Sequence, residues 1–223
     1  MCGRYTITVN AEGIAWRFGA ERPEFEFEPA YNAAPTQNLP VITEANGQRQ
    51  VLIMRWGLIP HWSKEKSIGN KLINARIETV DQKPAFKSSL LRRRCLIPAD
   101  GYYEWLKINE SKQPLRIVLP QNDLFSFAGI WDRWIDSEGL SFNSFSILTT
   151  TPVASITHIH NRMPLILLPE QESDWLKGPL SAEPRAVRDF LDKLHPCPTL
   201  HAYPVSSLVN SPHVNSPSLI SPA

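Results

Sequence analysis

Residues 94–108 read RCLIPADGYYEWLKI. Two β-patterned runs, 94–99 and 101–108, stand almost end to end, with only Asp100 between them. The same pattern recurs along the chain. In RYTITV, residues 4–9, Tyr5, Ile7 and Val9 share one face, and further strand candidates lie at 39–44, 50–56, 114–119, 124–131, 145–150, 164–168 and 200–205. Helical patterns are fewer. Residues 10–19 start with Asn10 as a cap and stop at Gly19; 84–94 and 169–178 both open on a proline; 182–194 carries Val187, Phe190, Leu191 and Leu194 along one stripe. Twenty prolines punctuate these elements, and no internal repeat or linker is visible. The expected fold is α+β: a single domain with a mainly antiparallel, barrel-like β-sheet core and a few flanking helices.

At 223 residues the chain is long enough to bury a substantial core as one domain. Its 42% hydrophobic and 20% charged residues place it among globular proteins. No apolar run reaches membrane-spanning length, and the start lacks the basic-then-apolar pattern of a secretory signal. Cys2, Cys95 and Cys197 are odd in number and far apart, which argues against a disulfide framework, and no paired-cysteine spacing suggests zinc. These features predict a cytoplasmic, reduced protein with no membrane association. The net charge of +1 is unevenly spread: residues 55–116 carry 13 Lys and Arg against 6 Asp and Glu. A basic middle with tryptophans inside it can follow a phosphate backbone; a solvated surface is the plainer reading of charge alone. By composition, the closing SSLVNSPHVNSPSLISPA reads as disordered.

Cys2 directly follows the initiator methionine. If Met1 is removed, Cys2 carries an α-amine and a thiol on adjacent carbons, titrating near about 7.7–8.0 and about 8.5, so both are partly deprotonated at neutral pH. An aldehyde condenses with such an amine to an imine, and the thiol then closes a thiazolidine ring. Alternatively the thiolate attacks an acyl group, with the amine as base. The plain alternative is a cysteine that follows Met by chance.

Other polar residues stand where a core is expected. In LINARIET, residues 72–79, alternation puts Asn74 and Arg76 on one face with Glu78 beyond; this is a polar site or an exposed face. Glu104 sits among Tyr102, Tyr103 and Trp105, a setting that raises a carboxyl pKa, unless it points to water from an edge strand. His158 and His160 would share a face on a strand, but no third metal ligand follows; one imidazole acting near neutrality is the better reading, beside that of a structural histidine. Trp56 is expected in the core. Trp62 is expected in a loop beside Lys64 and Lys66, stacking on a base or capping the core.

MCGRY, YNAAP (31–35), RWGLIPHW (55–62), INARIET (73–79), Phe86-Lys87, CLIPADGYYEW (95–105), HIHNRMP (158–164) and the closing YPVSSLVN…NSPSLI, in that order, resemble the SOS-response-associated peptidase (SRAP) family. The resemblance runs from residue 2 to about residue 220. It implies a single domain over 2–220, autocatalytic removal of Met1, and a tail ordered at least through Asn215 despite its composition. It also implies recognition of abasic sites in single-stranded DNA, whose ring-opened sugar aldehyde is captured by Cys2 as a thiazolidine crosslink that shields the lesion. In that reading Cys2 is the nucleophile and Asn74 orients the sugar hydroxyl or the α-amine. Glu104 acts as acid and base, and His160 passes a proton to the sugar oxygen. Arg4, Arg76 and Arg162 would meet phosphates, and Trp62 with the Asn32–Pro35 turn would pack where the strand kinks. At Lys83 the pattern departs, with Pro84 and Ala85 beside it, and no phosphate contact is assigned there. No cofactor or metal is implied; the expected partner is single-stranded DNA containing abasic sites, met by a monomer that in a bacterium is nucleoid-associated. Two other functions fit the same residues: a cysteine peptidase acting on proteins, and a non-catalytic module that binds single-stranded DNA.

Overall fold

The computed structural model describes residues 2–223. In chain order the strands are β1 (Tyr5–Ile7), β2 (Ala30–Ala33), β3 (Asn38–Ala45), β4 (Gln48–Trp56), β5 (Asn74–Arg76), β6 (Arg94–Ala99), β7 (Gly101–Ile108), β8 (Ser111–Val118), β9 (Phe125–Ile135), β10 (Ser141–Thr150), β11 (Met163–Pro164), β12 (Ile166–Leu167) and β13 (His201–Pro204). The helices are α1 (Ala11–Phe18), α2 (Pro84–Arg92), α3 (Pro169–Lys177) and α4 (Pro184–Asp192).

Strands β4, β3, β6, β9 and β10 pair in that order, and β10 returns to β4. The ring is a closed barrel, which leaves those five strands no free edge among themselves. All its pairings are antiparallel except β10 with β4. β5 and β11 extend along β10, and β12 along β9. A second, antiparallel sheet runs β13-β8-β7-β1-β2. The expected α+β fold with a mainly antiparallel, barrel-like core is what the chain adopts.

The stretch 94–108 joins the two sheets: β6 belongs to the barrel, β7 to the second sheet, and Asp100 is the hinge between them. Its buried carboxylate accepts from Thr6 Oγ1, from the Thr8 N–H at 2.6 Å and from Arg116 Nη2 at 2.9 Å. Gly101 is required here because a Cβ would stand 2.7 Å from Arg116 Nε. Aromatic rings fill the space between the sheets. Tyr5 meets Trp56 edge-on at 5.2 Å and Phe127 at 5.7 Å, and Trp56 stacks on Phe145 at 6.3 Å. Burying a ring of this kind stabilises the fold by about 1.5–3 kcal/mol relative to exposing it.

The helices follow their sequence signals. Asn10 Oδ1 accepts the Gly13 N–H at 2.9 Å, and Gly19 ends α1 in the left-handed conformation at φ 60°. In α4, Val187 and Leu191 are buried and Phe190 stacks on Trp175.

Three segments differ from expectation. Of the Asn32–Pro35 segment read as a turn, Asn32 and Ala33 belong to the edge strand β2, and the turn begins only at Pro35. LINARIET is a strand for only three residues before a turn, in which the Thr79 N–H reaches Arg76 O. His158 and His160 share no strand face: residues 154–156 form a 3-10 turn, and the backbone stays irregular up to Met163. The tail is ordered to Ala223, through 3-10 turns at Ser207–Asn210 and Pro217–Ile220. No helix among the described residues is long and apolar enough to cross a membrane.

Candidate active site and nucleic-acid interface

Cys2 is wholly buried where β1, β5 and β7 converge. Its carbonyl oxygen accepts from Asn74 Nδ2 at 2.8 Å, and its Sγ lies 3.7 Å from Arg4 O. Asn74 can reach it because β5 runs parallel along β10, with Asn74 opposite Ile147. Burial pushes the Cys2 thiol well above its usual range, and the nearby Glu104 charge pushes it further. In the chain that carries Met1 the thiol is thus held protonated; the partly ionised thiol is an expectation for the chain from which Met1 has been removed.

Glu104 comes from β7, opposite Leu115, and is 4% exposed. Burial raises its carboxyl pKa, while the charge of His160 pulls it the other way. His160, half-buried, accepts the Arg162 N–H on Nδ1 at 3.0 Å. Cys2, Asn74, Glu104 and His160, far apart in sequence, thus surround one point. Tyr5 and Tyr102 complete it: among the described residues neither buried hydroxyl has a hydrogen-bond partner, and burial, then Cys2, pushes each well above its usual range. Sequence reading missed them because an inward tyrosine on a strand patterns like any core aromatic.

The expected phosphate ligands divide. Arg4 Nη1 donates to Asn32 Oδ1 at 2.8 Å and to Val209 O at 2.7 Å, so its guanidinium binds the tail. Asn32 is 2% exposed, and its Nδ2 donates to Ser211 O and Val214 O, both at 2.9 Å. Its side chain faces inward, and it can shape a binding surface only through the backbone it holds. Pro35 is half-buried in the turn that follows. Arg162 grips both oxygens of Glu78, at 2.6 and 3.0 Å, and Thr149 O, tying the His160 loop to β10. Burial pushes the Glu78 carboxyl up, but the Arg162 hydrogen bond, a backbone hydrogen bond of Glu78 and the charges of Arg162 and Arg76 together hold it below the usual carboxylate range. Arg76 is exposed.

Trp62 is 53% exposed on a loop pinned by its neighbours. The Ile59 N–H donates to Ser144 Oγ at 2.7 Å, the His61 N–H to the buried Asp132 at 2.9 Å, and Trp134 Nε1 to Ser63 O at 2.7 Å. At the loop's root, Gly57 and Gly69 approach so closely that a Cβ on Gly57 would lie 2.5 Å from Gly69 O, and Gly57 has φ 119°. An exposed indole on a rigid loop is a surface on which a base can stack. Among the described residues no group of three His, Cys, Asp or Glu is placed to hold a metal.

Fold and site together define an α+β barrel protein built around a buried cysteine at the second position of its chain. The chain belongs to the SOS response associated peptidase (SRAP) family, whose model matches residues 1–212. It is similar to abasic site processing protein YoqW of Bacillus subtilis, 42% identical over 223 residues and 99% of each chain. It is also similar to abasic site processing protein HMCES of Mus musculus, 34% identical over 275 residues that cover all of this chain and 76% of that one. A crystal structure of a protein from Bacteroides thetaiotaomicron shares the fold over 100% of both chains, with a TM-score of 0.86 and 30% identity.

Proposed function

We propose that this protein processes abasic sites in single-stranded DNA by forming a covalent crosslink through Cys2, once Met1 has been removed. The working unit in this reading is the single domain 2–220. The observation that carries it is the convergence of Cys2, Asn74, Glu104 and His160 on one point, in a chain whose relatives are named abasic site processing proteins.

The chemistry balances as follows. His160 passes a proton to the sugar ring oxygen and takes that of the anomeric hydroxyl in return as the abasic sugar opens to its aldehyde. The α-amine of Cys2 adds to the aldehyde carbon, one of its protons passing to the oxygen, and Glu104 protonates the departing hydroxyl, so that one water leaves and an iminium ion remains. Glu104, now a carboxylate, takes the thiol proton and regains its acid form; the thiolate sulfur bonds to the iminium carbon, and the C=N electron pair returns to nitrogen as a neutral secondary amine. The product is a thiazolidine, with one water released overall. Asn74 holds the Cys2 carbonyl, so that amine and thiol face the same carbon. A ring of two new bonds resists reversal better than an imine alone and keeps the aldehyde from β-elimination.

A denaturing gel with an oligonucleotide carrying one abasic site tests the proposal. A heat-stable, shifted band without borohydride is expected, and Cys2→Ala or an extra residue retained ahead of Cys2 abolishes it. No band from protein whose mature N-terminus is shown by mass spectrometry to be Cys2 would overturn it. Cleavage of a peptide library without an adduct would instead assign a peptidase, and salt-sensitive retention under native conditions alone a binding module.

A further inference from the structure

Two unused donors border the sulfur of Cys2. Tyr5 on β1 and Tyr102 on β7 stand opposite each other as register partners. Their rings lie on the same side of the sheet, both against Phe127, at 5.7 and 6.1 Å. Both side chains are wholly buried, and among the described residues neither hydroxyl has a hydrogen-bond partner. The backbone brings the sulfur to the same place. Cys2 Sγ lies 3.7 Å from Arg4 O, the carbonyl next to Tyr5. That oxygen also accepts the N–H of Tyr103, the neighbour of Tyr102, at 3.0 Å. All three side chains belong to one buried cluster. Burial first, and then the Cys2 charge, lifts the pKa of both phenols, so both keep their protons at neutral pH.

A buried hydroxyl without a partner destabilises a fold. Two of them beside one sulfur call for a role outside the resting state. In the resting thiol the S–H is directed at Arg4 O, and the phenols have nothing to bind. The thiolate that closes the ring has lost that proton and sits where water does not reach to solvate it. We propose that the hydroxyls of Tyr5 and Tyr102 donate together to the Cys2 sulfur once it is a thiolate, as fixed donors aimed at the charge that develops there. This rests on the reading of Cys2 as the residue that closes the thiazolidine. Donors that are idle in the resting state and engaged in the reacting one stabilise the reacting one selectively. The phenols keep their protons throughout, and Glu104 on β7 remains the group that takes the proton of the thiol. The other titratable groups at the site are His160 on its loop, whose charge acts on Glu104, and Cys95 on β6, whose charge acts on Tyr5.

Tyr5→Phe and Tyr102→Phe test this, since each removes one hydroxyl and keeps its ring. No hydrogen bond of the resting fold is lost, so both are expected to melt no lower than wild type. Alkylation of Cys2 by iodoacetamide over a pH series measures thiolate formation without DNA. It is read on the N-terminal peptide by mass spectrometry, so that Cys95 and Cys197 do not contribute. Its midpoint is expected to lie about one to two pH units higher in each variant, and single-turnover adduct formation on an abasic strand to be roughly 10–100-fold slower, as for a lost hydrogen bond to a charged group. A wild-type midpoint and rate in both variants overturn the proposal. So does a slower adduct with an unmoved midpoint, which would set the hydroxyls against the sugar instead. A lower melting temperature in either variant overturns it by revealing a partner already bound in the resting fold, and an effect in one variant alone by breaking the pair. If wild type itself forms no adduct, the crosslinking reading fails, and the alkylation midpoints still decide the role of the two hydroxyls.

Discussion

Asn74 Nδ2 lies 2.8 Å from the carbonyl oxygen of Cys2, a hydrogen bond between residues 72 positions apart in the chain. It makes the orientation of Cys2 depend on β5, and β5 depends on β10. Replacing Asn74 by Ala removes one hydrogen bond of about 1 kcal/mol. Adduct formation by Asn74→Ala is expected to slow by roughly five- to tenfold, with little change in melting temperature. Asn74→Asp is expected to be slower still, since a carboxylate cannot donate to the Cys2 oxygen and adds a negative charge near Glu104. Single-turnover rates on an abasic strand measure both.

Glu104→Gln keeps the shape of the side chain and removes its proton. Loss of a positioned acid–base group lowers the rate by roughly 10²–10⁴-fold. The wild-type rate is expected to fall as pH rises through a carboxyl pKa above the ordinary range, because Glu104 enters the reaction as an acid, and Glu104→Gln to lose that limb. Stability moves the same way. Because the folded-state pKa is raised, the folded protein binds more protons than the unfolded chain between the two pKa values, and ionisation of Glu104 destabilises the fold as pH rises through that window. At neutral pH, Glu104→Gln is therefore expected to melt higher than wild type while reacting far more slowly. A lower melting temperature there would refute this account of the buried carboxyl.

Asn32→Ala is predicted to act from a distance. It deprives Arg4 of one acceptor and the carbonyls of Ser211 and Val214 of their shared donor. Leaving such groups unpaired destabilises by about 2–3 kcal/mol in total, which for a chain of this size lowers the melting temperature by roughly 5–10 °C. Limited proteolysis should then cut the tail beyond Val205 first, and the adduct rate should fall because Arg4 is two residues from Cys2. A variant that melts and reacts like wild type would show that the tail does not support the site.

Much of the fold is legible in the sequence because alternation reports which face of a strand is buried, as at Tyr5 and Ile7, and because caps such as Asn10 and Gly19 are local chemistry. Pairing partners are not local. The parallel closure of β10 onto β4 and the bond from Asn74 to Cys2 join positions tens of residues apart, and no short-range pattern announces them. The identities of Cys2, Asn74, Glu104 and His160 were legible as a resemblance, but their states were not. Burial, with the Glu104 charge beside it, pushes the thiol up, and burial raises the carboxyl. It also turns Asn32 into an internal brace rather than a surface contact. His160 was misread as part of a strand because two histidines two residues apart look alternating, whereas Ile156 and Ile159, buried three residues apart, follow the spacing of a 3-10 turn.

The attachment of Arg4 to Val209 and Asn210 has a consequence for biosynthesis. The segment beside Cys2 is translated 205 residues ahead of the surface that Arg4 grips. A nascent polypeptide therefore carries Cys2 without a finished seat for it until Val209 and Asn210 have emerged.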